Sequence, residues 1–488
     1  MQQNSFEFSG TKNKRAELNL AMANRHGLIT GATGSGKTVT LQTLVEGFSQ
    51  AGVPVFVTDV KGDLSGLAKP GERSQKIMSR LDQLSLNEYN NRPYPVLLWD
   101  LFGRKGHPVR TTISDMGPLL LSSLLELNRT QSAILYACFE VADNEGLLLL
   151  DMKDLRGMLA WMTENKKSLQ QEYGHISSAS IAAIQRELMV LEQQGAERFF
   201  GEPILQLSDL MQVDFSGNGV ISLLDATSLL PQPKLFSTFL LWLLAELFEQ
   251  LPEVSDPSKP KLVLFFDEAH LIFKNAPDVL LEKVEQVVRL IRSKGVGVYF
   301  VSQLPADIPV SIAGQLSHRI QHALRAVTVK DQKMLKAAAQ TLRRNPAIDT
   351  EQVISRLAIG EALVSVLDEN GQPSPVDQLL IFPPKSRIGP LTKDERHQHL
   401  FRSPMGSRYD KPVDRESAYE VLKLRAEKIE SIKNNAKSPN RVAARKKEKP
   451  LEDLVGAMAK SAMRSIGSQL GREIARGFLG SLLGVKKR

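Results

Sequence analysis

The residues most clearly suited to chemistry are the eight from Gly31 to Thr38, which read GATGSGKT and have the spacing of a phosphate-binding loop. A predicted strand, Gly27–Thr30, precedes them, and a predicted helix, Lys37–Gln50, follows. Glycines let backbone N–H groups converge on phosphate oxygens, and the start of the helix adds positive potential. Lys37 has the charge to neutralise the β- and γ-phosphates, and the Thr38 hydroxyl is a ligand for Mg²⁺. The predicted nucleotide-binding residues are Gly31, Ala32, Thr33, Gly34, Ser35, Gly36, Lys37 and Thr38.

Two adjacent carboxylates, Asp267 and Glu268, follow the apolar run Leu262–Phe266 directly. That run is typical of a buried strand, and open α/β sheets bind ligands at the carboxyl ends of their strands. Asp267 is therefore the second predicted Mg²⁺ ligand, and Glu268 is the predicted general base for an attacking water. The pair favours hydrolysis over phosphoryl transfer to another acceptor. We expect His270 to orient the pair or to pack locally rather than to bind a metal.

Polar residues also end two other predicted strands. Gln303 follows the run Val296–Val301, where its amide could contact both the γ-phosphate and water and so report hydrolysis. The segment Asp59–Asp63 (DVKGD) follows the run Val53–Thr58 in the same way. Two roles fit this segment equally well: it forms part of the site, or it caps the turn.

Arginines that act on the nucleotide of a neighbouring subunit cannot be chosen from one chain alone. Arg289 and Arg292 precede the strand that leads to Gln303, and Arg319 follows it in the segment LSHRI. Each of them is also compatible with an ordinary surface ion pair. The predicted catalytic set is Glu268, Lys37, Gln303, Arg292 and Arg319.

The elements that position these residues alternate between strand and helix. The run Val279–Arg292 has helical period and lies between two strand-like runs, and Leu235–Leu251 is an apolar helix after the strand-like run Gly219–Leu224. Such alternation indicates an α/β fold with a mostly parallel sheet.

The domain organisation is predicted from changes in pattern along the chain. An ATPase core takes residues 1–73 and 201–384, a helical insertion 74–200, a basic charged linker with a helix 385–450, and an amphipathic C-terminal helix 451–488. Within the insertion, helical period marks Gly117–Leu127, Gln131–Val141 and Ile176–Gln194, whereas Val96–Leu98 is a candidate added strand.

Beyond the core, Arg415–Lys433 is a charged helix candidate, and Asn434–Pro450 has the composition of a disordered basic linker. The apolar residues of Leu451–Leu483 recur at helical spacing, but glycines weaken that helix, so it is expected to need a partner surface.

Charge is distributed unevenly over the 488 residues, whose net charge is +8. Residues 385–488 carry 25 Lys and Arg against 12 Asp and Glu, whereas the preceding residues are net acidic. A basic tail attracts polyanions such as nucleic acid or anionic lipid, although it is equally compatible with a solvated end.

The single cysteine, Cys138, excludes an internal disulfide and a cysteine-rich zinc site, and it lies in an apolar stretch that predicts a buried thiol. The first twenty residues contain no apolar signal core, and the longest apolar run, Phe239–Ala245, is too short for a membrane span. We therefore expect a cytoplasmic protein.

Four segments in combination resemble the HerA/FtsK-type P-loop ATPases: GATGSGKT, TDVKGDLSGL, LVLFFDEAH and VGVYFVSQLPADIP. The resemblance is nearest to the bacterial YjgR-like, HerA-related group and covers most of residues 1–385. It implies a RecA-like core and a hexameric ring with ATP sites between subunits. In the well-understood members, double-stranded DNA passes through the central pore. The roles of Lys37, Thr38, Asp267, Glu268 and Gln303 carry over residue by residue, whereas an arginine acting in trans is implied only as an expectation.

The expected function is therefore Mg²⁺-dependent ATP hydrolysis by an oligomeric DNA translocase or helicase-like motor. Two alternatives stay open. One is an ATPase that moves protein, and the other is a nucleotide-gated scaffold that the C-terminal helix attaches to a membrane, the nucleoid or a partner. Glu268 favours the enzymes, because a switch does not need a catalytic carboxylate.

Overall fold

The computed structural model describes residues 4–254, 257–274, 278–326 and 328–436. Within these residues, the strands form one twelve-stranded sheet. In chain order they are β1 (Ser5–Gly10), β2 (Arg15–Asn19), β3 (Gly27–Thr30), β4 (Val55–Asp59), β5 (Val96–Asp100), β6 (His107–Pro108), β7 (Ile221–Asp225), β8 (Leu262–Phe266), β9 (Val296–Ser302), β10 (His318–Gln321), β11 (Glu361–Ser365) and β12 (Asp377–Ile381).

The sheet has the order β2-β1-β12-β11-β10-β3-β9-β8-β4-β7-β5-β6. Every pairing from β10 through to β6 is parallel, and every pairing from β2 through to β10 is antiparallel. The predicted α/β fold with a mostly parallel sheet is thus confirmed, and the antiparallel strands extend it at one side.

The helices follow the predicted alternation closely. In chain order they are α1 (Lys37–Gln50), α2 (Gln75–Leu84), α3 (Ile113–Leu124), α4 (Arg129–Glu145), α5 (Met152–Glu164), α6 (Lys166–Tyr173), α7 (Ser178–Gln193), α8 (Leu207–Leu210), α9 (Pro233–Gln250), α10 (His270–Phe273), α11 (Asp278–Ile291), α12 (Val310–Ala313), α13 (Val329–Gln340), α14 (Thr350–Arg356), α15 (Lys393–Phe401), α16 (Gly406–Tyr409) and α17 (Ala418–Ala436).

The core strands are buried on both faces, as expected for parallel strands covered by helices. Helix α1 packs its Phe48 against this core, with ring centroids 6.0 Å from Phe265 and 5.8 Å from Tyr299. The rings of Phe265 and Tyr299 stack at 4.9 Å. This aromatic cluster fixes the helix that begins in the phosphate loop against β8 and β9.

The chain divides into two compact units, and the boundaries differ from the predicted ones. The sheet unit comprises residues 1–109 and 205–411, and the helical unit comprises 110–204 and the chain from 412. The predicted insertion starts too early, because β5 pairs in parallel with β7 and so keeps residues 74–109 with the sheet. The predicted linker likewise contains ordered helices of the sheet unit, α15 and α16.

The helical unit consists of α3 to α7 and α17. Helix α3 is interrupted at Gly117, whose φ of 71° lies outside the helical range, just before Pro118. Helix α17 packs on α5, where the Asp154 carboxylate accepts hydrogen bonds from the Ser417 hydroxyl and the Tyr419 backbone N–H. Cys138 is fully buried in α4, so the predicted buried thiol is confirmed, and burial raises the pKa of that thiol.

The predicted charged helix is present as α17, and its last residues take up the start of the predicted linker. The rest of that linker and the whole predicted C-terminal helix, residues 437–488, lie outside the described residues. Among the residues that the structure describes, no helix is both long and apolar enough to cross a membrane.

Candidate functional site

The strand order places the candidate residues at one edge of the sheet. Strand β3 leads into the phosphate loop, β9 lies beside it, β8 comes next and β4 follows, all in parallel. Thr30, the last residue of β3, pairs with Ser302 of β9, so Gln303 emerges beside the loop. Asp267 emerges two strands from β3. The sequence motifs therefore converge because the carboxyl ends of neighbouring parallel strands share an edge.

The phosphate loop depends on glycine backbone geometry. Gly36 has a φ of 111° and begins helix α1. A Cβ on Gly31 would lie 2.5 Å from the Cβ of His322, which leaves no room for a side chain. The Lys37 ammonium folds back to donate hydrogen bonds to the carbonyl oxygens of Gly31 and Ala32, at 2.5 and 3.0 Å. Burial lowers the pKa of Lys37, and nearby Lys61 lowers it further.

Residues that follow the neighbouring strands β9 and β10 hold the phosphate loop through backbone hydrogen bonds. The Gly31 N–H donates to the Gln303 carbonyl oxygen at 3.2 Å, and the Ala32 N–H donates to the Ala323 carbonyl oxygen at 2.8 Å. The side chain of Gln303 is exposed. The structure thus brings Gln303 to the loop through its backbone, with its amide side chain open to solvent.

His322 is a supporting residue that sequence reasoning missed. It is fully buried, its Nδ1 lies 2.8 Å from the Glu361 carbonyl oxygen, and its Nε2 lies 2.8 Å from the Thr40 hydroxyl of α1. Because a carbonyl oxygen only accepts, Nδ1 carries the proton and Nε2 accepts from Thr40. Burial lowers the pKa of His322 to about 4, so the ring is neutral at pH 7. Its only sequence signal was its place at the end of β10.

The acidic pair is buried and only partly satisfied. The Asp267 backbone N–H donates to the Thr58 hydroxyl at 3.0 Å, and its carboxylate oxygen Oδ2 is buried without a hydrogen-bond partner. Burial raises the pKa of Asp267 to about 7; the positive charge of Lys61 opposes the shift, and the negative charge of Glu268 adds to it. A buried carboxylate without a full set of donors is costly, so this atom is suited to a cation.

Glu268 adopts a left-handed backbone conformation with a φ of 47°. Its Oε1 lies 2.6 Å from the Lys61 ammonium, and its Oε2 lies 3.3 Å from Nδ1 of His270. Burial alone would raise the pKa of Glu268, but the hydrogen bond and charge of Lys61, with His270 and Lys37, hold it below its usual value. Glu268 is therefore ionised at neutral pH. His270 thus contacts Glu268, as expected if it orients the acidic pair.

The segment after β4 resolves the choice that the sequence left open. The Asp59 carboxylate accepts from the backbone N–H groups of Gly62, Asp63 and Leu64, so Asp59 caps the turn. Burial raises the pKa of Asp59 to about 6. Lys61 is different, because its side chain leaves the turn and enters the site.

The predicted arginines lie away from this edge. Arg292 comes just before β9, at the amino ends of the strands, and seven residues of strand at about 3.3 Å each separate it from the loop edge. Arg319 pairs in register with Leu28, and its guanidinium donates to the Ala313 carbonyl oxygen at 2.8 Å. Arg289 forms an ion pair with Glu285. Within one chain, the structure brings none of these three to the acidic pair.

Comparison with known proteins decides the family. A family profile described as "Helicase HerA-like C-terminal" matches residues 5–488. The chain belongs to this HerA-like family of P-loop ATPases. Among curated proteins, none matches the chain.

Three solved structures are similar to this HerA-like protein at low identity. The structure of VirB4 of Thermoanaerobacter pseudethanolicus matches with a TM-score of 0.50 and 14% identity, over 81% of this chain and 99% of that one. The bacterial conjugative coupling protein TrwBΔN70 matches with a TM-score of 0.48 and 14% identity, over 80% of this chain and 91% of that one. A further TrwB structure, in complex with ADP and Mg²⁺, also has a TM-score of 0.48, with 14% identity over 81% and 92% of the two chains.

The residues present in this HerA-like chain fit a nucleotide with its Mg²⁺. Several buried polar atoms at the loop edge have no hydrogen-bond partner, and three of them are the hydroxyl of Ser35, Oδ2 of Asp267 and Oε2 of Glu268. Buried polar atoms are normally paired, so these three mark a place for a polar ligand. In the described part of the chain, no cluster of three or more His, Cys, Asp or Glu side chains forms a metal site.

Proposed function

We propose that this HerA-like protein is a Mg²⁺-dependent ATP hydrolase. The observation that carries the proposal is the buried pair Asp267 and Glu268, held two strands from the phosphate loop at the same edge of the sheet. One carboxylate has an oxygen suited to a cation, and the other is ionised and partly free. A loop that only bound phosphate would need neither.

The phosphate side of the site supplies binding and charge neutralisation. The Lys37 ammonium would exchange its carbonyl contacts for phosphate oxygens, which also relieves the cost of its burial. Thr38 and Asp267 would hold Mg²⁺, which when bound neutralises charge on the phosphates. Backbone N–H groups of the loop and the start of α1 complete the anion site.

The acidic side supplies the chemistry of water. Glu268 would accept the proton of the attacking water at Oε2, the oxygen that Lys61 does not bind. Gln303, whose backbone already contacts Gly31, would use its exposed amide to contact the γ-phosphate and so couple hydrolysis to the loop. Strand β9, which leads to Gln303, pairs with both β3 and β8.

The Mg²⁺ requirement tests this assignment directly. Hydrolysis of ATP by the full chain should depend on Mg²⁺, and Asp267→Asn should raise the Mg²⁺ concentration needed for half-maximal rate by about tenfold or more. Asp225→Asn is the matched control, because Asp225 is another buried aspartate at the end of a parallel strand but pairs with Lys105. Hydrolysis that persists in EDTA, or an equal shift in the control, would contradict the proposal.

The proposed biological task is the movement of double-stranded DNA by a hexameric ring, in the YjgR-like, HerA-related manner. Membership of a family described as helicase HerA-like supports this cargo, and so does the excess of Lys and Arg in residues 385–488. Basic residues without interleaved aromatic side chains in 437–449 favour contact with the phosphate backbone over sequence readout.

Two measurements test the ring and the cargo. The mass of the protein in solution, with and without ATP, should show a hexamer that nucleotide stabilises. Added double-stranded DNA should accelerate ATP hydrolysis. A monomer under both conditions would contradict the ring. An ATP hydrolysis rate that is the same with and without DNA would favour the alternatives, a protein-moving ATPase or a nucleotide-gated scaffold.

A further inference from the structure

The segment Asp59–Asp63 contains a lysine that the proposed reaction leaves without a task. The Lys61 ammonium lies 2.6 Å from Oε1 of Glu268, while its own side chain is only partly exposed. This contact joins the turn after β4 to the proposed general base. The two residues are far apart in sequence, so no motif indicates that they meet.

The turn that carries Lys61 is built to be rigid. The Asp59 carboxylate binds three successive backbone N–H groups of the turn, from Gly62 to Leu64. Gly62 has a φ of 78°, and a Cβ there would lie 3.0 Å from the Thr227 methyl carbon. The backbone of the turn is thus fixed, and Lys61 projects from it into the acidic pair.

Glu268 needs such a support. Its left-handed backbone is unfavourable for any residue other than glycine, so surrounding contacts must hold it in place. Lys61 engages Oε1, whereas Oε2 is buried without a hydrogen-bond partner. One oxygen is therefore held by the Lys61 ammonium at 2.6 Å, and the other has only the longer 3.3 Å contact with His270 and can still accept from a water. A general base works efficiently when a partner orients it in this way.

We propose that Lys61 is a positioning residue that holds the Glu268 carboxylate in its reactive orientation. This inference rests on the proposed hydrolysis of ATP. Lys61 acts through Glu268 rather than on the nucleotide, so its loss should slow turnover and leave nucleotide binding unchanged.

The test compares steady-state constants of ATP hydrolysis for three variants. Lys61→Met should lower kcat about 10- to 100-fold, the usual range when a supporting side chain is removed, while KM for ATP stays within about twofold. Lys61→Arg keeps the positive charge and donor groups and should recover most of kcat. Lys105→Met is the matched control, because Lys105 pairs with the buried Asp225 at the same sheet edge and does not contact Glu268. Its kcat should be unchanged.

A second comparison separates positioning from a general structural effect. In the Glu268→Gln background, single-turnover hydrolysis should show no further loss when Lys61→Met is added, because groups that act as a unit are not additive. A full additional loss would overturn the proposal, as would an unchanged kcat in Lys61→Met. A raised KM with unchanged kcat would show that Lys61 binds nucleotide directly and would also overturn it. If the wild-type chain itself does not hydrolyse ATP, the proposed function fails first.

Discussion

The buried polar residues at the two edges of the parallel sheet differ in how fully their atoms are hydrogen-bonded. At the amino edge, the His26 ring accepts from the Val298 N–H at 3.0 Å and lies 2.9 Å from the Val288 carbonyl oxygen. His318 makes the same kind of paired contacts to the backbone of Met22 and Leu367. At the carboxyl edge, the acidic pair keeps carboxylate oxygens without partners.

Backbone strain alone does not distinguish the two edges. His26 has a φ of 59°, and Glu268 has a φ of 47°. Both φ values are positive, yet both ring nitrogens of His26 have hydrogen-bond partners, whereas Oε2 of Glu268 has only the longer contact with His270. The two positions therefore differ in how fully their polar atoms are hydrogen-bonded, rather than in backbone strain. Substitutions at the carboxyl edge should therefore change activity, and those at the amino edge should change stability.

The largest expected effect is an exception to this rule: a substitution at the amino edge that lowers activity. Arg292 lies exposed at the amino edge, far from the loop of its own chain, so it could serve only the site of a neighbouring subunit. Arg292→Ala should then reduce hydrolysis by about 10³- to 10⁵-fold, the range for arginines that act in trans. Arg319→Ala is the variant to compare with it, because Arg319 is the other arginine in the predicted catalytic set.

Mixing experiments decide whether the arginine is shared. Arg292→Ala subunits should lower the activity of wild-type subunits by more than simple dilution. Activity that is strictly proportional to the wild-type fraction, from a protein that is monomeric by mass, would remove the shared site.

A second expected effect concerns binding at the carboxyl edge. Lys37→Ala should weaken ATP binding by at least about tenfold, because the variant cannot donate a charge-assisted hydrogen bond to phosphate. The melting temperature should stay the same or rise, since a buried ammonium is costly to the fold. A fluorescent ATP analogue and a thermal melt measure the two quantities. A large drop in melting temperature with unchanged ATP binding would show that Lys37 serves stability rather than nucleotide binding, and would contradict the prediction.

The amino edge should show the opposite pattern. His318→Gln should lower the free energy of unfolding by about 1–3 kcal/mol at pH 7, because buried backbone groups lose their partners. The kcat of ATP hydrolysis should be unchanged under conditions where the variant is folded. Denaturant titration alongside the activity assay tests both parts, and a selective loss of kcat would contradict them.

This loss of stability should depend on pH in a defined direction. Burial lowers the pKa of His318 from 6.5 to about 4, so the native state keeps the ring neutral while the unfolded chain protonates it. Wild-type stability from this group is present above pH 6.5 and is lost as pH falls towards 4. The gap between wild type and His318→Gln should therefore narrow over that window. A gap that widens would contradict the neutral, buried ring.

Sequence predicted the parallel half of the sheet well, because its signals are local. The strands β8 and β9 are continuous apolar runs, and the phosphate loop has a fixed spacing, so the convergence of Lys37, Asp267 and Glu268 followed from sheet geometry.

The missed features depend on distant pairing. Strand β1 pairs with β12, which lies far from it in sequence. Strand β5 pairs with β7, and for this reason the helical insertion begins later in the structure than predicted. The contact of Lys61 with Glu268 and the support from His322 are long-range too. Periodicity along the chain carries no information on such partners.

The smallest expected effect on basal activity belongs to the C-terminal segment. Removal of residues 437–488, beyond the end of α17, should leave basal ATP hydrolysis unchanged. It should weaken DNA binding and flatten its salt dependence by roughly 0.9 in slope for each DNA phosphate that the segment neutralises. Titration of full-length and truncated protein against duplex DNA and anionic vesicles, at two salt concentrations, measures this. If the truncation instead breaks the oligomer without changing either titration, the segment serves assembly.

Glu268→Gln decides whether the carboxyl edge hydrolyses ATP with Glu268 as the base. The amide has nearly the same shape but cannot accept the proton of water, so turnover should fall by at least about 100-fold. ATP should still bind with near wild-type affinity, because Glu268 is proposed to act on the attacking water rather than to hold the nucleotide. The measurement is single-turnover hydrolysis beside equilibrium binding of ATP. Retained binding with lost turnover is the predicted result, and near-normal turnover would contradict the account.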